Sequence, residues 1–277
     1  MASKQQFALS LRLSIFLSFC LSLVLSACAS TQPVIKIGVV APFEGRFRAI
    51  GYEAIYAARL AIREVNARGG VNGYRLELVA LDDRGEAERA VEAARQLIID
   101  PQVVAVIGHY RPTTTAAALN DYCADALPIV AIETSSAPVA CQGGAFFIGR
   151  AEADRWFEDR LTFVSTVPDP QSLPSAADFV TKYKAIPIDG TRAGPIALQT
   201  YDAMRLIFEA LQRAEKINPH CAAQWGKCRG GMAAALAASQ FTGLGNKYAF
   251  DQAGNLIEGR TYVYEYDTAG QPQLMTP

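Results

Sequence analysis

The chain is short of the residues that most site chemistry needs. It has two histidines, His109 and His220, and no Cys-x-x-Cys pair, so the usual cysteine and histidine spacing of a zinc site is missing and no metal is expected. His220 adjoins Cys221, and His109 reads as a solvated loop histidine with no nucleophile or acid arranged around it, so no catalytic residue is expected and the chain does not read as an enzyme. An excess of positive charge is also absent. The 26 Lys+Arg are balanced by 27 Asp+Glu for a formal net charge of −1, which argues against a nucleic-acid partner. With 51% hydrophobic and 19% charged residues, the chain lies far from the composition of disordered segments.

Charge is scarcest at the start. Before Glu44 the only charged residues are Lys4, Arg12 and Lys36, and between Arg12 and Cys28 runs LSIFLSFCLSLVLSA. That apolar stretch falls below the roughly 20 residues a bilayer-spanning helix needs, so it reads as an export signal. It ends Leu25-Ser26-Ala27-Cys28, a match to the lipobox in which small residues precede an acylated cysteine. Residues 1–27 are then a lipoprotein signal, and Cys28 is the lipidation site of a protein anchored to the outer face of a bacterial membrane. The other readings of this segment are an ordinary secretory signal and an uncleaved anchor.

Four cysteines remain beyond Cys28: Cys123, Cys141, Cys221 and Cys228. Export favours disulfides, and proximity in sequence suggests Cys123–Cys141 and Cys221–Cys228 among the three possible pairings.

From residue 34 the pattern alternates. Residues 34–40 (VIKIGVV) form a β-branched run of strand length; over 51–67, Ile55, Ala58, Ile62 and Val65 recur at helical spacing. Strands are expected at 75–81, 103–107 and 128–132, and helices at 86–99 and 112–126. Repeated βα units specify a doubly wound parallel sheet, an α/β fold whose ligands bind outside the carboxyl ends of the strands. None of the loops there carries a dinucleotide or P-loop fingerprint, so no cofactor is expected. Two of them carry hydroxyls: Pro112-Thr113-Thr114-Thr115, where a helix N-terminus can hold a carboxylate, and Thr134-Ser135-Ser136. Capping and turn formation are the competing role for both sets.

IKIGVVAPFEG, GYEAIYAARLAIREVNARGGVNGYRLELVALDD, VVAVIGHYRPTTTAAAL and LPIVAIETSSAP together resemble the first lobe of the branched-chain amino-acid class of periplasmic binding proteins, the solute-binding components of ABC importers, with a type I bilobed fold. FVSTVPDP, AADFVTKYK and GPIALQTYDAMRLIFEAL resemble the family's return segment, and FDQAGNLIEGRTYVYEY its late hairpin. The resemblance implies a small solute, an amino acid or similar, whose carboxylate meets Thr113, Thr114, Ser135 and Ser136, with Ile50 at a first-loop position where the family often has an aromatic. It implies an ABC permease as partner.

Between Gly149 and Phe163 the family inserts a complete second lobe, and here only the charged stretch 150–161 stands in its place. The expected organisation is therefore 28–149 as the first segment of lobe one, 150–170 as a severely shortened lobe-two remnant, 171–240 as a return segment packing on lobe one, and 241–277 as late hairpin and tail. Glu133, Glu152, Asp154 and Asp169 read as solvated carboxylates; Tyr201, Met204, Phe208 and Leu211 read as a helical stripe facing the sheet. The alternative to solute capture is a receptor-like or regulatory lipoprotein that uses the fold for partner contact.

Overall fold

β1 (Val34–Ala41) is the spine of the molecule, because it is paired on both edges and covered on both faces. Its alternation sorts side chains between two cores. Ile35, Ile37, Val39 and Ala41 enter one core, and Val40 enters the other. On the second face a Cβ at Gly38 would stand 2.7 Å from Leu97 Cδ1, so the missing side chain lets a helix lie close against the strand.

In the computed structural model, residues 32–132, 141, 144–149, 162–186, 192–217 and 229–275 are described. Cys28, Ser135, Ser136, Cys221 and Cys228 lie outside them. β1 leads into α1 (Arg48–Ala67), followed by β2 (Arg75–Asp82), α2 (Ala87–Ile98), β3 (Val103–Ile107), α3 (Pro112–Ala124), β4 (Ile129–Ala131) and β5 (Ala145–Phe147). The sheet runs β2-β1-β3-β4-β5 with every pairing parallel, the expected doubly wound arrangement. α1 starts three residues before the expected boundary, since Phe47 and Ile50 are buried and draw the first turn down onto the core.

The later chain builds a second, antiparallel layer. β6 (Thr162–Ser165), β9 (Tyr262–Tyr266) and β10 (Pro272–Leu274) form a sheet of order β10-β9-β6, and β7 (Phe241–Thr242) pairs with β8 (Lys247–Tyr248). Between β6 and β7 lie α4 (Ala177–Lys184), α5 (Pro195–Ile217) and α6 (Arg229–Ala237). Tyr201, Met204, Phe208 and Leu211 of α5 are buried in the core shared with α1, as their spacing implies. No second parallel sheet is present among the described residues. No described helix is long and apolar enough to cross a membrane.

Buried carboxylates join the two layers. Glu53 on α1 accepts the N–H of Ala197 in the first turn of α5, and Asp202 on α5 accepts the N–H groups of Leu244 and Gly245 at 2.8 and 2.9 Å. Gln199 adds a neutral junction where β5 and β6 end: its Oε1 accepts the Ser165 hydroxyl, and the Thr166 hydroxyl donates to the carbonyl of Ile148.

Candidate functional site

The loops that follow β1, β2 and β3 interlock at the carboxyl edge of the sheet. Asp82, the last residue of β2, accepts the N–H groups of Phe43 at 2.7 Å and Arg84 at 3.0 Å, tying the first loop to the second. Gly85 lies between Phe47 and Arg111. It has φ +74, and a Cβ there would come within 2.8 Å of the Phe47 ring and 3.1 Å of Arg111 Cδ, so glycine is required on both conformational and steric grounds. With that space open, the Arg111 guanidinium lies 3.6 Å over the Phe47 ring centroid.

Arg111 is the N-cap of α3 and Pro112 its first residue, where the missing N–H costs nothing. The Thr114 hydroxyl donates to the Arg111 carbonyl at 3.0 Å, and the Thr115 N–H donates to the same carbonyl. Thr114 is buried and engaged in this local bond, whereas Thr113 is exposed at the helix entrance. The N–H groups of Thr113 and Thr114 precede the first intrahelical bond and, with the helix dipole, favour an anion. Ile50 is 1% exposed on the first turn of α1 and packs into the main core.

His109 is a correction to the sequence reading. It is not solvated: it is fully buried, with Nδ1 2.7 Å from Asp83 Oδ2 and Nε2 3.3 Å from the Tyr122 hydroxyl. A carboxylate oxygen only accepts, so Nδ1 carries the proton and the tautomer is set by Asp83. Burial pushes the Tyr122 phenol up, with the Asp83 charge adding to the effect. Asp83 also accepts the Gly85 N–H at 2.9 Å, and the His109 carbonyl accepts the Thr115 hydroxyl at 3.3 Å. Such a pair orients a base in hydrolases. Here all three side chains are sealed from solvent, no reacting atom can reach them, and the pair serves as a strut under the strand ends.

Two further elements fix the site. The Tyr110 hydroxyl is 2.8 Å from Thr200 Oγ1, joining the end of β3 to α5. Cys123, near the end of α3, is disulfide-bonded to Cys141 ahead of β5, with a Cα–Cα distance of 5.4 Å, which is the pairing suggested by sequence proximity. Asp169 is half-buried, ion-paired with Arg192 and caps the Gln171 N–H, so it does more than meet water.

Residues 34–158, which contain these loops, match the family model of the periplasmic binding proteins. That match covers a little under half of the chain. The chain is 32% identical over 120 residues to an amino acid binding protein of Pseudomonas aeruginosa, covering 43% of this chain and 32% of that protein. It is 30% identical over 106 residues to the Leu/Ile/Val-binding protein of Escherichia coli, covering 38% of this chain and 28% of that one. The matched part therefore spans about a third of the length of these curated relatives. Among solved structures, the branched-chain amino acid transporter substrate binding protein LivJ of Streptococcus pneumoniae, in complex with isoleucine, superposes with a TM-score of 0.66 at 17% identity, over 88% of this chain and 100% of that one. An ABC transporter substrate-binding protein of Desulfitobacterium hafniense in complex with Leu gives 0.65 at 18% identity, over 87% and 100%. These likenesses show the type I periplasmic-binding fold.

Sequence reading missed the Asp83–His109 pair and the Glu53 cap. Asp83 follows β2 and His109 follows β3, so the signal was two polar residues at strand ends; their meeting depends on the strand order, which the residues do not spell out.

Proposed function

We propose that this binding protein is the solute-binding component of an ABC importer, anchored outside the cytoplasm through a lipid on Cys28, and that it takes an aliphatic amino acid at the carboxyl ends of the parallel strands. The observation that supports this above all is the family match over residues 34–158, carried on a sheet whose third helix opens Pro112-Thr113-Thr114 toward the strand ends. The solute's carboxylate lies at that N-terminus, against the N–H groups of Thr113 and Thr114 and the Thr113 hydroxyl. Ser135 and Ser136 complete the cradle from the loop after β4. Ile50 shapes the apolar floor from beneath.

In this reading 28–149 supplies the site, 150–170 is what remains of lobe two, 171–240 returns to brace lobe one, and 241–277 adds the late hairpin. One lobe leaves half of the solute in water, so binding is weak. The partner that receives the solute is the membrane permease, and no bond is made or broken. Titration calorimetry of the exported protein with leucine, isoleucine and valine tests the proposal. Binding is expected in the millimolar range, weakened about tenfold by Thr113→Ala. No heat with any aliphatic amino acid at about 10 mM overturns it.

A further inference from the structure

The outer face of α1 carries charge of one sign. At about 100° per residue, Arg48, Tyr52, Tyr56, Arg59 and Arg63 fall within about 80° of the helix circumference, and the three arginines span about 22 Å of its length. The arginines are exposed, Tyr52 is 40% exposed and Tyr56 is half-buried. The two tyrosine rings lie 6.4 Å apart, and the Arg59 guanidinium is 5.9 Å from the Tyr56 ring centroid. Arg68, just past the end of the helix, is exposed as well.

Both carboxylates of α1 are turned away from this face. Glu53 is buried against α5 and β9, and Glu64 is engaged by Lys182 and the Tyr201 hydroxyl. Among the described residues none of the four arginines takes part in an ion pair. The chain as a whole has a net charge of −1, so this concentration of cations is local. A solvated helix face commonly mixes both signs so that neighbours pair, whereas here Arg59 and Arg63 repel at i, i+4. An opposing anionic surface relieves that repulsion. A second copy of the chain does not, because a two-fold contact through this face sets arginines against arginines.

The position of the row selects the surface. Asn66, one turn after Arg63, bonds through its side chain to both the N–H and the carbonyl of Leu76, which stands in register with Ile35. The Arg63 end of the row therefore lies at the edge of the sheet where β1 begins. Only residues 29–33 separate Cys28 from Val34, a reach of at most about 20 Å, so a lipid on Cys28 keeps this edge close to a bilayer.

We infer that the Arg48–Arg63 face of α1 docks on a bilayer with anionic headgroups. The guanidinium groups meet lipid phosphates, and Tyr52 and Tyr56 offer the combination of apolar ring and polar hydroxyl that suits the headgroup layer. The choice of a bilayer rests on the Cys28 reading, and solute capture plays no part in it.

Residues 34–277 form one compact unit, so the test uses the chain 29–277, which keeps that unit whole and lacks the lipid site. Its retention is measured by co-sedimentation with vesicles of phosphatidylcholine alone and with about one-third phosphatidylglycerol. Each arginine near an anionic surface adds about fivefold in affinity, so the anionic vesicles should hold the protein at least about tenfold better, an advantage that about 0.5 M salt abolishes. Arg48→Gln with Arg59→Gln and Arg63→Gln should remove the preference without lowering the melting temperature, and the three Arg→Lys replacements should keep most of it. Arg89→Gln with Arg95→Gln and Lys247→Gln makes the same change in net charge elsewhere and should leave the preference in place. A wild type indifferent to headgroup charge overturns the inference, as does a Gln triple variant with the full preference. Binding to polyglutamate without any preference for anionic vesicles also overturns it and gives the face to an acidic protein. The lipid itself is tested separately by labelling Cys28, so loss of the anchor and loss of the docking face give different results.

Discussion

The Glu53 carboxylate, on α1, caps a helix to which it is not joined: Oε2 accepts the Ala197 N–H at 3.1 Å while Oε1 accepts the Tyr266 hydroxyl at 2.9 Å. One side chain thus satisfies an orphan donor of α5 and ties β9 to both helices. Gly194 makes room for it, since a Cβ there would stand 2.5 Å from the carboxylate. Burial raises the Glu53 carboxyl from 4.5 to about 7, against the opposing pull of the Ala197 and Tyr266 hydrogen bonds.

The direction of the resulting pH dependence follows from linkage. The folded chain holds this proton more tightly than the unfolded chain, so the contribution to stability is full below pH 4.5 and is lost as pH rises through about 7. For a shift of this size the loss is about 3 kcal/mol. Urea unfolding across that window should show a stability decline in the wild type that Glu53→Gln lacks. Asp202, raised to about 6 by burial, adds a decline of the same sign that both proteins share. Parallel curves for wild type and Glu53→Gln would contradict the assignment.

Removing Asp83 leaves the buried His109 Nδ1–H with no acceptor. Asp83→Ala should lower stability by about 1–3 kcal/mol, and Asp83→Asn, which keeps an acceptor oxygen, by less. The exchange-protected Nδ1 proton of His109, visible by NMR in the wild type, should vanish in Asp83→Ala. Its persistence there would show that another group holds the ring.

Thr113 and Thr114 should separate binding from capping. The Thr114 hydroxyl is committed to the Arg111 carbonyl, so Thr114→Val should lower stability by about 1 kcal/mol and leave solute affinity nearly unchanged. Thr113 is exposed, so Thr113→Ala should leave the melting temperature alone and weaken amino-acid binding. The reverse pattern in calorimetry and melting would exchange their roles.

The Cys123–Cys141 disulfide closes a loop of sequence separation 18 and should contribute about 3 kcal/mol, largely by restricting the unfolded chain. Reductant should lower the denaturation midpoint of the wild type to that of the Cys123→Ser/Cys141→Ser protein. A wild type indifferent to reductant would rule out that contribution.

For Cys28, metabolic labelling with a fatty-acid analogue should mark the wild type and not Cys28→Ala. Equal labelling would remove the lipid anchor from the proposed function.

The residues of 34–132 determined their own βα alternation because the cause is local. A β-branched run such as VIKIGVV prefers the pleated backbone, and Ile55, Ala58, Ile62 and Val65 fall on one face of a helix whatever lies beyond. The entrance of α3 was legible for the same reason, since Pro112 and the threonines after it mark a helix start by their own covalent geometry. What the sequence could not decide is which polar groups become buried together. Glu53 meets Ala197 across 144 positions and Tyr266 across 213, and Asp83 meets His109 only once β2 and β3 flank β1. Each of these residues, taken alone, has the composition of a solvated surface group. Burial and a partner from a distant element turn them into caps and struts, because in a low dielectric a polar group must find its hydrogen bond within the fold, and only the tertiary structure says where that bond is.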